Sequence, residues 1–276
     1  MQTAIASRFW SRFQARFVGD REFYKTVLVL IVPIIIQNTV SNIVNLLDNV
    51  MVGALGTAQM SGVAIANQLM FVFYLAIFGS ISGAGIYGAQ FAGARNWEGF
   101  RQTLRARVLV SLVITALGIV VLSRWSGALV SLYLQGEGDV GHAADMLLHG
   151  KEYLLIMLWG LLPFAFTQCY SGALRESGET FLPMVSSLSA VCVNLVFNYL
   201  LIFGKFGFPV LGVKGAAIAT VLSRFVEFAI VFFFSHVLFT SLAEQQSVTV
   251  FEHSLQVKLG RNRRRIKEAD EVNRSK

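Results

Sequence analysis

Apolar residues along this chain gather into six long runs, at about 27–53, 60–86, 108–125, 153–174, 181–203 and 213–239. A helix rising 1.5 Å per residue needs about 20 such residues to cross roughly 30 Å of hydrocarbon. The pattern therefore predicts six membrane-spanning helices. The first and last runs exceed that length, which predicts tilt or bending. Pro33 and Pro163 lie inside the first and fourth runs, and each removes a helical hydrogen bond and favours a kink. The chain divides into a basic N-terminal segment (1–24), a six-helix region (25–240) and a charged tail (241–276).

Composition agrees with the pattern. Hydrophobic residues make up 55% of the chain and charged residues 14%, against about 25% charged in an average soluble domain. Soluble enzymes, nucleic-acid modules and disulfide scaffolds are poor fits, and an all-α integral membrane protein is expected. The net charge of +7 does not point to nucleic acid, because the basic residues flank the apolar runs. Arg8, Arg12, Arg16, Arg21 and Lys25 precede the first run. Arg95, Arg101, Arg105 and Arg107 share the loop after the second, and eight more follow from Lys258 onward. Such clustering predicts cytoplasmic N- and C-termini and residence in a plasma (bacterial inner) membrane.

Phe9, Trp10, Phe13 and Phe17 interleave with the first arginines. The segment 1–24 is expected to be an amphipathic helix on the anionic inner leaflet, not a cleavable signal, with a disordered basic tail as the alternative. The charge run Arg261–Lys267 is expected to be solvated surface. Cys169 and Cys192 fall inside apolar runs and are expected to be small buried hydrophobes. The histidines have no ligand spacing, so no metal site or other cofactor is expected. Gly62–Asn67 and Gly215–Thr220 are similar small-residue tracts, read either as an internal repeat or as ordinary close helix packing.

The informative residues are those that cost most to place in lipid. A charge at bilayer depth costs upwards of ~3 kcal/mol and must line a cavity or find a partner. Asp48 in the first run and the pair Arg224 and Glu227 in the sixth meet that description. Arg224 and Glu227, at i,i+3, share a helix face and are expected to form a structural ion pair. Asp48 ends a polar stripe made by Asn38, Asn42 and Asn45, which reads as one wall of a water-filled cavity, with a position near the outer water as the alternative. Asn194 and Asn198, at i,i+4 in the fifth run, add a second polar face. Tyr153, Gln168, Tyr170 and Thr220 add further oxygens. Such ligands suit a hard cation, or else the carboxylate itself takes a proton; sodium and proton remain open.

The arrangement resembles a known family. Leu47-Asp48-Asn49-Val50-Met51-Val52-Gly53-Ala54-Leu55-Gly56 is similar to the end of the first helix of multidrug and toxic compound extrusion (MATE) transporters, members of the MOP superfamily. Gly93-Ala94-Arg95-Asn96 resembles their second loop. Leu174-Arg175-Glu176-Ser177-Gly178-Glu179-Thr180-Phe181-Leu182-Pro183-Met184 resembles the loop before their fifth helix. Asn194–Gly204 and Leu211–Thr220 resemble their fifth and sixth helices. The resemblance covers about residues 25–240.

It implies one six-helix lobe of an antiporter, and not an enzyme. Amphipathic, often cationic, small organic compounds would leave in exchange for inward H+ or Na+. Asp48, Asn194 and Asn198 would couple to the ion, with Asn38, Asn45, Tyr153, Gln168 and Thr220 lining the cavity. Asn198 is an amide where some members carry a second carboxylate.

Family members have two such lobes, and substrate passes between them. Three readings of the chain's length stand: pairing with itself or with a separately encoded second lobe, a truncated product, or another role. Two other functions stay open. One is a non-transporting subunit that binds another helix bundle. The other is a lipid-linked oligosaccharide flippase of the same superfamily, whose cavity would be strongly cationic.

Overall fold

The structure is a computed structural model that describes residues 19–134 and 140–237. The helices are α1 (Arg21–Gly53), α2 (Thr57–Gly93), α3 (Trp97–Tyr133), α4 (Val140–Met157), α5 (Leu161–Glu176) and α6 (Phe181–Phe203), then α7 (Val213–Val237). A 3₁₀ turn at Leu158–Gly160 joins α4 to α5, so the two form one span, Gly141–Glu176. Among the described residues, six spans are long and apolar enough to cross a bilayer. The chain divides into units 1–232 and 233–276; of the second, only the end of α7 is described. The expected segment 1–24 falls outside the described residues up to residue 18, and α1 already begins at Arg21. The tail from 241 onward also lies outside them.

Local chemistry sets the helix ends. Asp20 caps α1 by accepting from the Phe23 amide at 2.8 Å, and Asn96 caps α3 by accepting from Gly99 at 3.0 Å, the usual use of short polar side chains at a first turn. Gly204 closes α6 in the left-handed conformation, φ 64°, where a Cβ is unwelcome.

The fourth span begins at 141 instead of 153, and the elements differ from the hydropathy runs in three further ways. First, α3 extends from 97 to 133 instead of 108 to 125. Arg101, Arg105 and Arg124 depress local hydropathy, yet arginine is a good helix former and all three lie exposed on the helix. Trp125, where the run ended, carries the non-helical pair φ −116°, ψ 15°, so the helix kinks there. Second, the fourth span breaks at Leu158–Gly160, where the ring of Pro163 would crowd the Trp159 carbonyl four residues back. Third, α1 continues as one helix through Pro33.

The core centres on α2, whose Val63, Ala66, Met70, Phe73, Ile77 and Ile81 recur at helical spacing and are buried. They pack with Leu154, Leu161, Ala165 and Cys169 of the fourth span and with Val213, Ala217 and Val221 of α7. α2 and α4 cross backbone to backbone. A Cβ on Gly62 would stand 2.6 Å from the Met146 carbonyl, and one on Gly150 would stand 2.8 Å from the Gly62 carbonyl. Close approach through small residues is how membrane helices gain dispersion contact where lipid removes the hydrophobic drive. α7 uses the same device, with Gly215 seated on Leu201 of α6.

α1 differs from the rest. It packs mainly on α6, and only Val44 and Val52 along it are buried. Leu28, Val29, Ile35, Val113 and Leu117 are among the large apolar side chains left exposed, as a bilayer allows. Cys169 is buried, but Cys192 is exposed. On α6 the inward face carries Ala190, Asn194 and Asn198, and residue 192 lies about 200° around the helix from 190.

Candidate functional site

Asp48 of α1, Asn194 and Asn198 of α6, and Thr220 of α7 converge. Asn198 donates to Asp48 Oδ1 at 2.5 Å. Its own Oδ1 is buried without a hydrogen-bond partner. The Asn194 carboxamide lies between Asp48 and Thr220. With its nitrogen turned to the carboxylate it reaches both Asp48 oxygens, at 3.0 and 3.1 Å, and its oxygen accepts from Thr220 Oγ1 at 3.3 Å. With its oxygen turned inward, it accepts from Asn198 at 3.2 Å. Asn194 and Asn198 are buried, and Asp48 is half-buried. Asp48 stands five residues before the end of α1 and Asn198 five before the end of α6, so both sit about 8 Å inside the same end of the bundle.

Two adjoining cavities meet at this cluster. One, of about 320 Å³, is lined by Asn45, Asp48, Asn67, Tyr74, Tyr153, Asn198, Thr220 and Arg224. The other, of about 580 Å³, shares Asn45, Asp48, Thr220 and Arg224 and adds Gln37, Asn38, Ser41, Gln168, Arg175, Asn194 and Glu227. Asn38, Asn45, Tyr153, Gln168 and Thr220 thus all reach the cavities. Tyr170 instead stacks edge-on against Phe232, and Asn42, the middle of the expected stripe, lines neither cavity. The polar face of α1 runs instead through Gln37, Ser41, Asn45 and Asp48.

Arg224 and Glu227 share a cavity, but among the described residues no ion pair within 4.0 Å joins them. Arg224 has other partners. It donates to the Tyr74 hydroxyl, and its guanidinium lies 5.2 Å from the ring centres of both Tyr74 and Phe164. Cation–π contact with this pair of touching rings, whose centres are 4.6 Å apart, replaces the expected carboxylate. Gly160 makes room, because a Cβ there would stand 3.1 Å from the Arg224 side chain.

Sequence reasoning missed a second charged centre. Arg107, which the hydropathy pattern places in a loop with Arg95, Arg101 and Arg105, is buried on α3 and binds both oxygens of Glu176 at 2.8 and 2.7 Å. It also donates to the Cys169 carbonyl at 3.3 Å. Gly85 and Gly88 of α2 and Gly172 of α5 hollow out this site: a Cβ at Gly172 would stand 2.9 Å from Arg107 and one at Gly85 2.6 Å from Glu176. The three glycines were the available sequence signal. Among the described residues no cluster of His, Cys, Asp and Glu could hold a metal ion.

These features define a membrane helix lobe with a polar cavity that holds the carboxylates of Asp48 and Glu227. The sequence family described as MatE matches residues 33–200, and the chain belongs to that family. It is 32% identical over 205 residues to "Probable multidrug resistance protein NorM" of Thermotoga maritima, covering 74% of this chain and 43% of the relative. It is 30% identical over 216 residues to the protein of the same name in Bacillus subtilis, covering 78% and 46%. The chain therefore spans less than half the length of these curated relatives. Its fold is similar to the solved "Crystal structure of MATE in complex with MaD5" (TM-score 0.69, 14% identity, 83% of this chain and 48% of that one). It is also similar to the "Outward-facing conformation of a multidrug resistance MATE family transporter of the MOP superfamily" (TM-score 0.62, 22% identity, 75% and 44%).

Proposed function

We propose that this chain forms one lobe of a secondary antiporter that exports amphipathic, cationic compounds in exchange for H+ or Na+. The observation that carries the reading is the Asp48–Asn198–Asn194–Thr220 cluster inside a polar cavity. A lone carboxylate among amides suits reversible loading. With the carboxylate bare, Asn198 and the nitrogen of Asn194 satisfy it. When Asp48 takes a proton or a hard cation, turning the Asn194 amide brings a carbonyl oxygen to the same place, since the two orientations differ only by a rotation of the amide. The unpartnered Asn198 Oδ1 offers a further oxygen.

Export between two lobes needs a facing wall. We take the second lobe to be another copy of this chain or a separate chain in the same plasma membrane, with both termini cytoplasmic. The charge asymmetry supports that orientation, and moving Arg107 from the loop to the interior leaves it intact. The names of the relatives favour multidrug export. The flippase reading gains two cavity guanidinium groups, Arg175 and Arg224, but Asp48 and Glu227 line the same cavity and offset their formal charge.

The test is ethidium export from proteoliposomes driven by an imposed H+ or Na+ gradient. Wild-type protein should export the dye and Asp48→Asn should not. Gradient-driven export undiminished in Asp48→Asn would remove the assigned role.

A further inference from the structure

We propose that Arg175 is the inner gate of the coupling-ion path, closing the Asp48 cavity from a third cavity on the far side of the same lobe. This rests on the reading of Asp48 as the coupling site.

Three observations place the gate. Arg175 lines both the 580 Å³ Asp48 cavity and a further cavity of about 430 Å³ against Ser82, Ala89, Gly172 and Glu176. Phe78 and Gln168 are the other residues common to both, so the partition is one guanidinium beside one aromatic ring and one amide. Second, Arg175 donates to Gln37 Oε1 at 3.0 Å. Gln37 and Asp48 lie on the same face of α1, separated by about 16 Å of helix, so the hydrogen bond ties the partition to the helix that carries the coupling carboxylate. Third, the neighbouring carboxylate, Glu176, is held by both of its oxygens on Arg107. The charge that Arg175 shows to the third cavity is therefore not cancelled from that side. On the Asp48 side it faces Glu227 of α7, with Arg224 one turn away.

A fixed guanidinium in a narrow polar passage repels protons and metal cations alike. Moving it aside joins the two cavities into one route within the lobe, from Asp48 past Gln168, Ser82 and Glu176 toward the end where α2 meets α3. α1 packs loosely apart from its contact with α6, so its movement would carry Gln37 away and release Arg175. The lobe could then load and unload its ion on the inner side without help from a facing lobe.

The test is passive ion leak in proteoliposomes holding the full chain, read with an entrapped pH-sensitive dye under a pH gradient and a sodium-sensitive dye under a sodium gradient. Arg175→Ala and Gln37→Ala should each leak the coupled ion about tenfold faster than wild type, while Arg175→Lys, which keeps the charge, stays tight. Adding Asp48→Asn to Arg175→Ala should abolish the leak. A tight Arg175→Ala, or a leak that persists without Asp48, overturns the gate. Should Arg175→Ala not fold, as judged by size-exclusion chromatography, Gln37→Ala decides the matter in the same way. A tight Arg175→Ala protein that still exports dye in an Asp48-dependent manner overturns the gate alone and leaves the coupling reading standing.

Discussion

Arg107 and Glu176, 69 residues apart in sequence, meet in a two-point ion pair at 2.8 and 2.7 Å beneath a roof of three glycines. The partners are unequally placed: the Arg107 side chain is 1% exposed and that of Glu176 17%. Arginine cannot shed its proton, so removing Glu176 leaves a buried charge with no escape. Removing Arg107 leaves a carboxyl group that can reach water. Glu176→Ala should therefore cost about 3–5 kcal/mol, and Arg107→Met, which nearly preserves volume, distinctly less. Thermal unfolding of the two variants in nanodiscs checks the order, and equal losses would contradict the asymmetry.

The same pair shows where sequence reading stops. Six spans could be read because hydropathy is a sum over some twenty residues and tolerates local exceptions. Asp48, Asn194 and Asn198 could be singled out because polar groups in apolar runs are expensive. Arg107 could not, because it lies at the edge of a run among exposed arginines. Its burial depends on glycines from α2 and α5 that no local window connects to it. Arg224 and Glu227 illustrate the converse. Their i,i+3 spacing permits a pair, but tertiary partners on α2 and α5, Tyr74 and Phe164, take the guanidinium instead.

The amides around Asp48 should divide the work of ion binding unequally. Asn198 donates the shortest bond to the carboxylate and carries the unpartnered oxygen, whereas Asn194 can satisfy either state by rotation. Hydrogen bonds to charged groups are worth about 1.5–3 kcal/mol. Asn198→Ala removes a donor that favours the bare carboxylate, so it should tighten proton-dependent stabilisation by about tenfold or more in apparent affinity, and Asp48→Asn should remove it. Titrating the unfolding temperature against Na+ and against pH measures both. An Asn198→Ala protein with unchanged affinity would show that this amide only packs.

Arg224 should not tolerate lysine. Its planar guanidinium lies against two rings that touch each other and donates to Tyr74, and a compact lysine ammonium cannot make the flat contact and the hydrogen bond together. Arg224→Lys should lose about 1–2 kcal/mol of stability, and Tyr74→Phe about 1 kcal/mol for the hydrogen bond. The double variant should lose less than the sum, because both changes remove the same contact. A fully additive cycle in nanodisc melts would argue that the two side chains act independently.

The crossing of α2 and α4 makes a sharper prediction about glycine. A methyl group at Gly62 or Gly150 meets opposing backbone, which cannot yield as a side chain can. Gly62→Ala and Gly150→Ala should each cost about 1–3 kcal/mol. Gly127 of α3 has no neighbouring atom within 4 Å of the added carbon, and Gly127→Ala should be neutral or stabilising by up to about 1 kcal/mol. Melting temperatures in nanodiscs should rank the three accordingly, and a destabilised Gly127→Ala would contradict the packing argument.

The exposed face of α1 bears on assembly. Asn38, Asn42, Asn45 and Asn49 all lie exposed on the helix that carries Asp48. Asn38, Asn45 and Asn49 border the polar cavities and Asn42 neither; covered by hydrocarbon, each unsatisfied amide would cost on the order of a few kcal/mol. Lipid cannot satisfy them, so another protein surface or a shared aqueous cavity must. A second copy of the chain would place the same amides opposite one another around a common polar space, with two Asp48 carboxylates on facing walls. Native mass spectrometry of protein released from nanodiscs should then show a dimer. The dimer should weaken when Asn42 and Asn49 are both replaced by leucine, a change that makes the face acceptable to lipid. A protein that stays monomeric in the bilayer would exclude self-pairing and direct the search to a facing lobe on another polypeptide.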